Sequence, residues 1–159
     1  VKRLTREDVY NAWVSSMSMC GSLFKSIVKE LGMAKALEML AKQGEPFGDE
    51  LGKVLKTQLG GKKLDVKALN KAMMPMMSSS GVDAEVEENP KSLVLKISKC
   101  PQYDGFKMAG LDHETIGKMC SAMAKGEYAS IMRHYPELEG RVKFRETPNG
   151  VCQEEFVIK

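Results

Sequence analysis

Long apolar runs are missing from this chain. No stretch approaches the ~20 residues that a membrane-spanning helix needs, so no membrane span is expected. The opening residues, Val1-Lys2-Arg3-Leu4-Thr5-Arg6-Glu7, lack the apolar region of a signal peptide. The chain begins at Val1 and not at Met, which fits a trimmed or processed start. Histidine is scarce. With only His113 and His134, a histidine-rich metal site is excluded. No Cys-x-x-Cys pair occurs, which removes zinc-ribbon and thioredoxin-type readings. There is no P-loop, no Gly-x-Gly-x-x-Gly after a strand and no His-Glu-x-x-His, since Asp112-His113-Glu114 is not that motif. An excess of one charge is also absent. The 24 basic and 21 acidic residues are interspersed and leave a net +3, so no basic stripe points to nucleic acid. The most basic stretch, Lys62, Lys63, Lys67 and Lys71, reads as a solvated helix face.

What remains is a folded, globular composition: 43% apolar and 28% charged over 159 residues, long enough to bury a real core. One domain over 1–159 is the expectation, with a helical half at 1–80 and a sheet-plus-helix half at 82–159. Four cysteines without a secretion signal imply free thiols in a reducing, cytoplasmic setting. They are spaced 80, 20 and 32 residues apart. Methionine is abundant at twelve residues, densest in Met73-Met74-Pro75-Met76-Met77. Such a cluster fills irregular core gaps or walls an adaptable pocket.

Thr5 and Asp8 together form a helix-start pattern. Val9, Trp13, Met17, Cys20, Phe24, Ile27 and Leu31 then recur at three- and four-residue steps, one apolar stripe on a long helix that ends at Gly32. A second helix is expected over 33–42, broken by Gln43-Gly44-Glu45-Pro46, and a third over 47–59, weakened by Gly48 and Gly52. After the Gly60-Gly61 turn, Asp65 caps a fourth helix with Leu69, Ala72, Met73 and Met76 inward and Pro75 as its end or kink. Ser78-Ser79-Ser80-Gly81 reads as a linker. The pattern then turns extended. Val82, Ala84 and Val86 alternate, Glu88-Asn89-Pro90-Lys91 turns, and Leu93, Leu95 and Ile97 alternate again, which is a hairpin.

The segment from Cys100 to Gly110, with Pro101 and Gly105, reads as an exposed loop. Asp112 caps the next helix, running to His134 with Ile116, Met119, Cys120, Met123, Ala124, Tyr128, Ile131 and Met132 on its apolar face. A strand through Val142, Phe144 and Glu146 and a Pro148-Asn149-Gly150 turn lead to a final strand over 151–158. On that strand Cys152, Phe156 and Ile158 share one face, and Gln153, Glu155 and Val157 the other. Arg141 and Arg145 suit a carboxylate substrate, although alternation sets Arg145 opposite Phe144, on the solvent side. The fold class is therefore α+β. N-terminal helices pack with a C-terminal antiparallel sheet of about four strands and one long helix.

The last sixty residues carry a spaced cysteine pattern. Leu95-Lys96-Ile97-Ser98-Lys99-Cys100-Pro101, Lys118-Met119-Cys120, Phe144-Arg145-Glu146-Thr147 and Gly150-Val151-Cys152 with Phe156 resemble the L-2-amino-thiazoline-4-carboxylate hydrolase-like family. The helix carrying Trp13 and the segment from Leu31-Gly32 to Leu37 are similar to its N-terminal part. Cys120 followed by Gly126, Tyr128, Ala129 and Ser130, with Glu146 and Cys152, resembles the 4-vinyl-reductase-type ligand-binding domain. This chain departs from that pattern by the inserted Glu127 and by lacking a Cys soon after Glu146, a place Cys100 would have to take. Both resemblances imply an α+β fold that often dimerises, with a pocket between helices and sheet.

Three functions stay open at this point. The first is a binding domain for a small molecule or metal. Cys100, Cys120 and Cys152 would form a three-cysteine site for zinc or an iron–sulfur cluster, and Trp13, Cys20 and Tyr128 would be ligand contacts. The second is a hydrolase that opens a small cyclic amidine or thiazoline. Cys120 would be the nucleophile, and His113, Asp112 or Glu146 the base. His113 precedes Cys120 by seven residues, about 10 Å along a helix, too far for direct contact. The third is an interaction domain whose cysteines only pack.

Overall fold

The structure, a computed structural model, describes residues 4–159, so the start reading at residues 1–3 lies outside the described residues. Helix α1 (Arg6–Leu31) begins as the sequence suggests. The Thr5 hydroxyl accepts from the Asp8 N–H, and the Asp8 carboxylate accepts from the Thr5 N–H. The buried face of α1 is turned by one residue from the expected stripe. Tyr10, Val14, Gly21 and Phe24 are buried, whereas Cys20 and Leu31 are exposed. The cause is helix α4 (Pro101–Met108). A Cβ on its Gly105 would stand 2.6 Å from the Val14 carbonyl oxygen, and one on Gly21 would stand 2.8 Å from the Ala109 Cβ. Small residues mark this contact, and a search for large apolar ones misses it.

Helix α4 also corrects the exposed loop expected from Cys100 to Gly110. Pro101 stands in its first turn, where a missing N–H costs nothing. Tyr103 and Phe106, three residues apart, are 4% and 1% exposed.

The second and third expected helices are one, α2 (Met33–Leu59), which runs through Pro46. A proline inside a helix costs about 3 kcal/mol. Here Pro46 is exposed, so water reaches the Lys42 carbonyl it leaves unbonded. The offset comes from packing against α5 (His113–His134). Gly44, Gly48 and Gly52 recur every four residues and so share one face of α2. A Cβ there would stand 2.1 Å from the Met123 carbonyl oxygen, 2.1 Å from that of Glu127 and 2.5 Å from the His134 ring. In return, a Cβ on Gly126 would stand 1.8 Å from the Ala41 carbonyl oxygen. The two helices therefore meet backbone to backbone. Asp49 closes the polar end of the seam, accepting from the Ser130 hydroxyl at 2.6 Å.

Gly60, in the left-handed region at φ 53°, ends α2. Asp65 caps α3 (Val66–Ser79) through the Ala68 N–H. Pro75 neither ends α3 nor stops it before Ser79.

The sheet is antiparallel in the order β1-β2-β4-β3, with β1 Asp83–Glu88, β2 Ser92–Lys99, β3 Leu138–Lys143 and β4 Cys152–Ile158. The third strand lies earlier than the 142–146 alternation suggests. Leu93, Leu95 and Ile97 of β2 stand opposite Phe156, Glu154 and Cys152 of β4. Leu93, Leu95 and Phe156 are 0% exposed and pack with Leu51, Leu55, Leu69, Tyr128 and Ile131 from the helices. Full burial of each such side chain contributes about 1.5–3 kcal/mol. A second cluster joins Phe24, Ala36, Tyr103, Phe106, Ile116 and Met119. Among the described residues, five helices and a four-stranded antiparallel sheet make the fold α+β, as expected. No described helix is long and apolar enough to cross a membrane.

Candidate functional site

Between the helices and the sheet lies a cavity of about 340 Å³. Helix α1 lends it Trp13 and Met17, α2 lends Phe47 and Leu51, and α3 lends Met73, Met76 and Met77. Ile97 of β2 and Met123 of α5 extend the apolar wall. Phe47, 48% exposed, stands at the solvent edge. The methionine cluster of the sequence is thus a pocket wall as well as core, because α3 turns Met73 inward and Met76 and Met77 toward the cavity.

A smaller hollow of about 140 Å³ shares Phe47, Ile97, Cys100, Gln102, Met123, Glu127 and Glu154 with the first and adds Cys120, Phe144 and Cys152. Its polar members follow from local periodicity. On β4, Cys152, Glu154, Phe156 and Ile158 share one face, so Glu154 points inward from a central strand, opposite Leu95 on one side and Val142 on the other. On α5, Cys120, Met123 and Glu127 are spaced by three and four residues, so they too share a face.

Neither Glu127 nor Glu154 has a side-chain hydrogen bond or ion pair among the described residues. Both are half-buried, and both line the cavity. Burial pushes both carboxyls above the usual carboxylate range, and the neighbouring Glu154 raises Glu127 further. Gln102, on α4, donates to the Met123 Sδ at 3.2 Å and toward the Cys120 Sγ at 3.7 Å.

The three-cysteine metal site is not found. Cys100, Cys120 and Cys152 border the same small hollow, yet among the described residues no three His, Cys, Asp or Glu side chains are close enough to hold a metal ion. All four cysteines are free. Burial pushes the Cys100 thiol up to about 11, against the backbone N–H groups of Tyr103 and Gln102. Burial also raises Cys120, with Cys100 and Cys152 adding to it. Nucleophilic attack needs the thiolate, which burial disfavours at both.

The suggested partners of Cys120 lie elsewhere. The ring of His113 is held between the Tyr103 hydroxyl at Nδ1 and the Arg145 carbonyl at Nε2, each at 3.1 Å. A carbonyl only accepts, so Nε2 carries the proton and Nδ1 receives the hydroxyl. The ring packs on Phe144 at 5.0 Å and lines a separate surface hollow with Gly117 and Ser121. Glu146 is exposed and paired with Lys143 at 3.0 Å, and Asp112 is occupied as the α5 cap. Cys120, His113 and Glu146 therefore do not meet.

Of the suggested ligand contacts, Trp13 lines the cavity. Cys20 is exposed on α1. Tyr128 is buried in the core, edge-on to Phe156 at 5.5 Å and over Gly140. Arg145, expected to face solvent, is 5% exposed. Its guanidinium lies 4.3 Å from the Tyr103 ring centre and donates to the Cys152 Sγ at 3.3 Å and to the carbonyls of Pro148 and Ile97. The chain leaves β3 at Lys143, so alternation no longer applies at 145. Glu127 and Glu154 are the residues that sequence reasoning missed. The signal was present: a charged residue at an inward position of a strand, and another one turn beyond Met123.

No protein-family model and no curated protein matches the chain. Solved structures do resemble it. The phenol-responsive sensory domain of the transcription activator PoxR, crystallised with phenol, matches with a TM-score of 0.60 at 17% identity, over 89% of this chain and 74% of that one. Trafficking protein particle complex subunit 3 from Naegleria fowleri, covalently bound to palmitic acid, matches with a TM-score of 0.59 at 15% identity, over 92% of this chain and 95% of that one. At such identities the likeness is one of fold.

Proposed function

We propose that this chain is a binding domain for a small, largely apolar molecule held in the cavity between α1, α2, α3, α5 and the sheet. The cavity itself carries the reading. It has a volume of about 340 Å³, a wall of Trp13, Phe47, Leu51, Ile97 and five methionines, and a few polar groups gathered at one end. An apolar enclosure with a small convergent polar set is the usual form of a ligand site, and that volume sits at the lower end of the usual ~300–1,000 Å³. Unbranched methionines adapt to ligands of different outline. Two proteins of similar fold add support, one crystallised with phenol and the other covalently bound to palmitic acid. Of the two resemblances, the 4-vinyl-reductase-type ligand-binding domain is the one the cavity favours. Hydrolysis through Cys120 would need a thiolate that burial opposes.

Trp13 is the only tryptophan and lines the cavity, so its emission is a direct reporter. Titration with the neutral probe N-phenyl-1-naphthylamine is expected to quench it saturably, with one site per chain. Met76→Phe, which adds bulk to the wall and leaves Trp13 the only tryptophan, is expected to weaken that binding about tenfold or more. Absence of saturable quenching in the wild type would refute the proposal.

A further inference from the structure

The polar end of the cavity gathers two carboxyls and an amide and no basic group. Among the described residues, no Lys, Arg or His lines either the larger cavity or the smaller hollow. The two serine hydroxyls on the wall are engaged. The Ser79 hydroxyl donates to the Met76 carbonyl at 2.7 Å and that of Ser80 to the Met77 carbonyl at 2.8 Å. The Gln102 amide nitrogen faces the sulfurs of Met123 and Cys120, and its oxygen has no hydrogen bond among the described residues. The Glu127 and Glu154 carboxyls have no partner among the described residues. The buried cation of the fold, Arg145, is held by Cys152, Pro148, Ile97 and the Tyr103 ring and does not answer them.

Resting on the binding-domain reading, we infer that the cavity selects an apolar molecule with a cationic nitrogen head, a primary amine or amidine, received by Glu127, Glu154 and the Gln102 amide oxygen. Two carboxyls set into an apolar enclosure are costly unless something compensates them. An ammonium supplies both the charge and enough N–H donors to reach more than one acceptor. The aromatic faces of Trp13 and Phe47 on the same wall are favourable neighbours for a cation. An anionic head meets two carboxyls and no base. A neutral hydroxyl supplies one donor and no charge.

The test uses three probes with one framework: 4-phenylbutylamine, 4-phenylbutan-1-ol and 4-phenylbutanoate, each titrated into the full chain at pH 7 by calorimetry and Trp13 emission. The amine is expected to bind about tenfold or more tighter than the alcohol, the size of one charge-assisted hydrogen bond, and the carboxylate to bind weakest. In the isosteric double variant Glu127→Gln/Glu154→Gln, shown to be folded by a cooperative melt, the amine is expected to fall to the level of the alcohol. An alcohol that matches or beats the amine in the wild type overturns the inference while leaving the binding-domain reading in place. So does a folded double variant that keeps the amine preference. If neither N-phenyl-1-naphthylamine nor any of the three binds the wild type, both readings fail together. The wild-type comparison of head groups stands whether or not the variant folds.

Discussion

Gly126→Ala should break the seam on which the cavity rests. A Cβ at 126 would stand 1.8 Å from the Ala41 carbonyl oxygen, where ordinary contact begins near 3.4 Å. The obstacle is the backbone of another helix, so no side chain can swing away. Helices α2 and α5 would have to separate by about 1.5 Å along that line, and Gly44 and Gly48 would lose their close contact with the α5 carbonyls. Helix propensity acts the other way, since alanine gains about 1 kcal/mol over glycine inside a helix. Overpacking ordinarily costs about 1–3 kcal/mol, and a rigid clash of this depth belongs at or above the top of that range. A net loss of about 2–3 kcal/mol is expected, or roughly 4–12 °C in Tm for a chain of this size. Gly117→Ala is the control, because its nearest neighbour is the edge of the Phe144 ring at 2.9 Å, a side chain that can turn. It should lie within about 1 kcal/mol of the wild type. Urea denaturation and thermal melts measure both. Because Glu127 and Met123 flank position 126 on the same helix, probe binding should weaken in Gly126→Ala beyond any effect in Gly117→Ala. A Gly126→Ala protein as stable as the wild type would refute the backbone-contact account of α2 and α5.

The carboxyl pair predicts a sign for the pH dependence of stability. Glu127 and Glu154 hold their protons more tightly folded than unfolded, where a glutamate titrates near pH ~4.3. Their contribution is therefore fully present below that value and is lost as pH rises toward the raised folded values, by up to about 1.4 kcal/mol per pH unit for each proton retained. Among the described residues, the titratable groups that line the smaller hollow with them are the Cys100, Cys120 and Cys152 thiols, with no base. Asp8, Asp49 and Asp112, whose values are lowered, act oppositely and at more acid pH. Urea melts from pH 5 to 8 should show the unliganded wild type losing stability relative to Glu127→Gln/Glu154→Gln, and parallel curves would sink this account. Thiol alkylation by iodoacetamide followed by mass spectrometry should label exposed Cys20 first, with Cys100 and Cys120 far slower. Fast labelling at Cys120 would show that thiol to be ionised.

Fold class was legible because alternation and helical spacing are local properties. The Thr5 and Asp112 caps, the β1–β2 hairpin and the final strand all follow from a few neighbouring residues. The errors fell where tertiary contact overrides local preference. Gly44, Pro46 and Gly48 read as helix breakers, yet glycines spaced by four are what let α5 approach α2. Gly105 read as loop, yet it is where α4 meets α1. Counting apolar residues gives glycine no weight in an interface, and so it turned the α1 face by one residue. The site was misread for a related reason. Cysteines draw attention as ligands, and Cys100, Cys120 and Cys152 do converge on one hollow. Convergence without ligation distance or ionisation makes a wall and not a metal centre. Glu154, at an inward position between Cys152 and Phe156, carried the stronger signal. A charged residue there conflicts with burial unless the fold leaves room beside it.

That room has a physical origin in two adjoining strips of α2. One face carries Gly44, Gly48 and Gly52 and is fixed against the α5 backbone, with Asp49, Ser130 and His134 bonded across the seam. The adjoining strip of the same face, three residues on from Gly44 and Gly48, turns Phe47 and Leu51 to the cavity that Trp13 and the methionines of α3 also line. Glu127 lies on the fixed partner, one residue from Gly126, and Glu154 on a strand paired on both sides. The carboxyls are thus mounted on backbone packed or paired on both sides. The apolar wall opposite is made of flexible thioethers. Carboxyls anchored there disfavour a head group of the wrong charge. Flexible methionines forgive differences in the outline of the tail. A site assembled in this way discriminates by the nitrogen head and tolerates variation in the hydrocarbon attached to it.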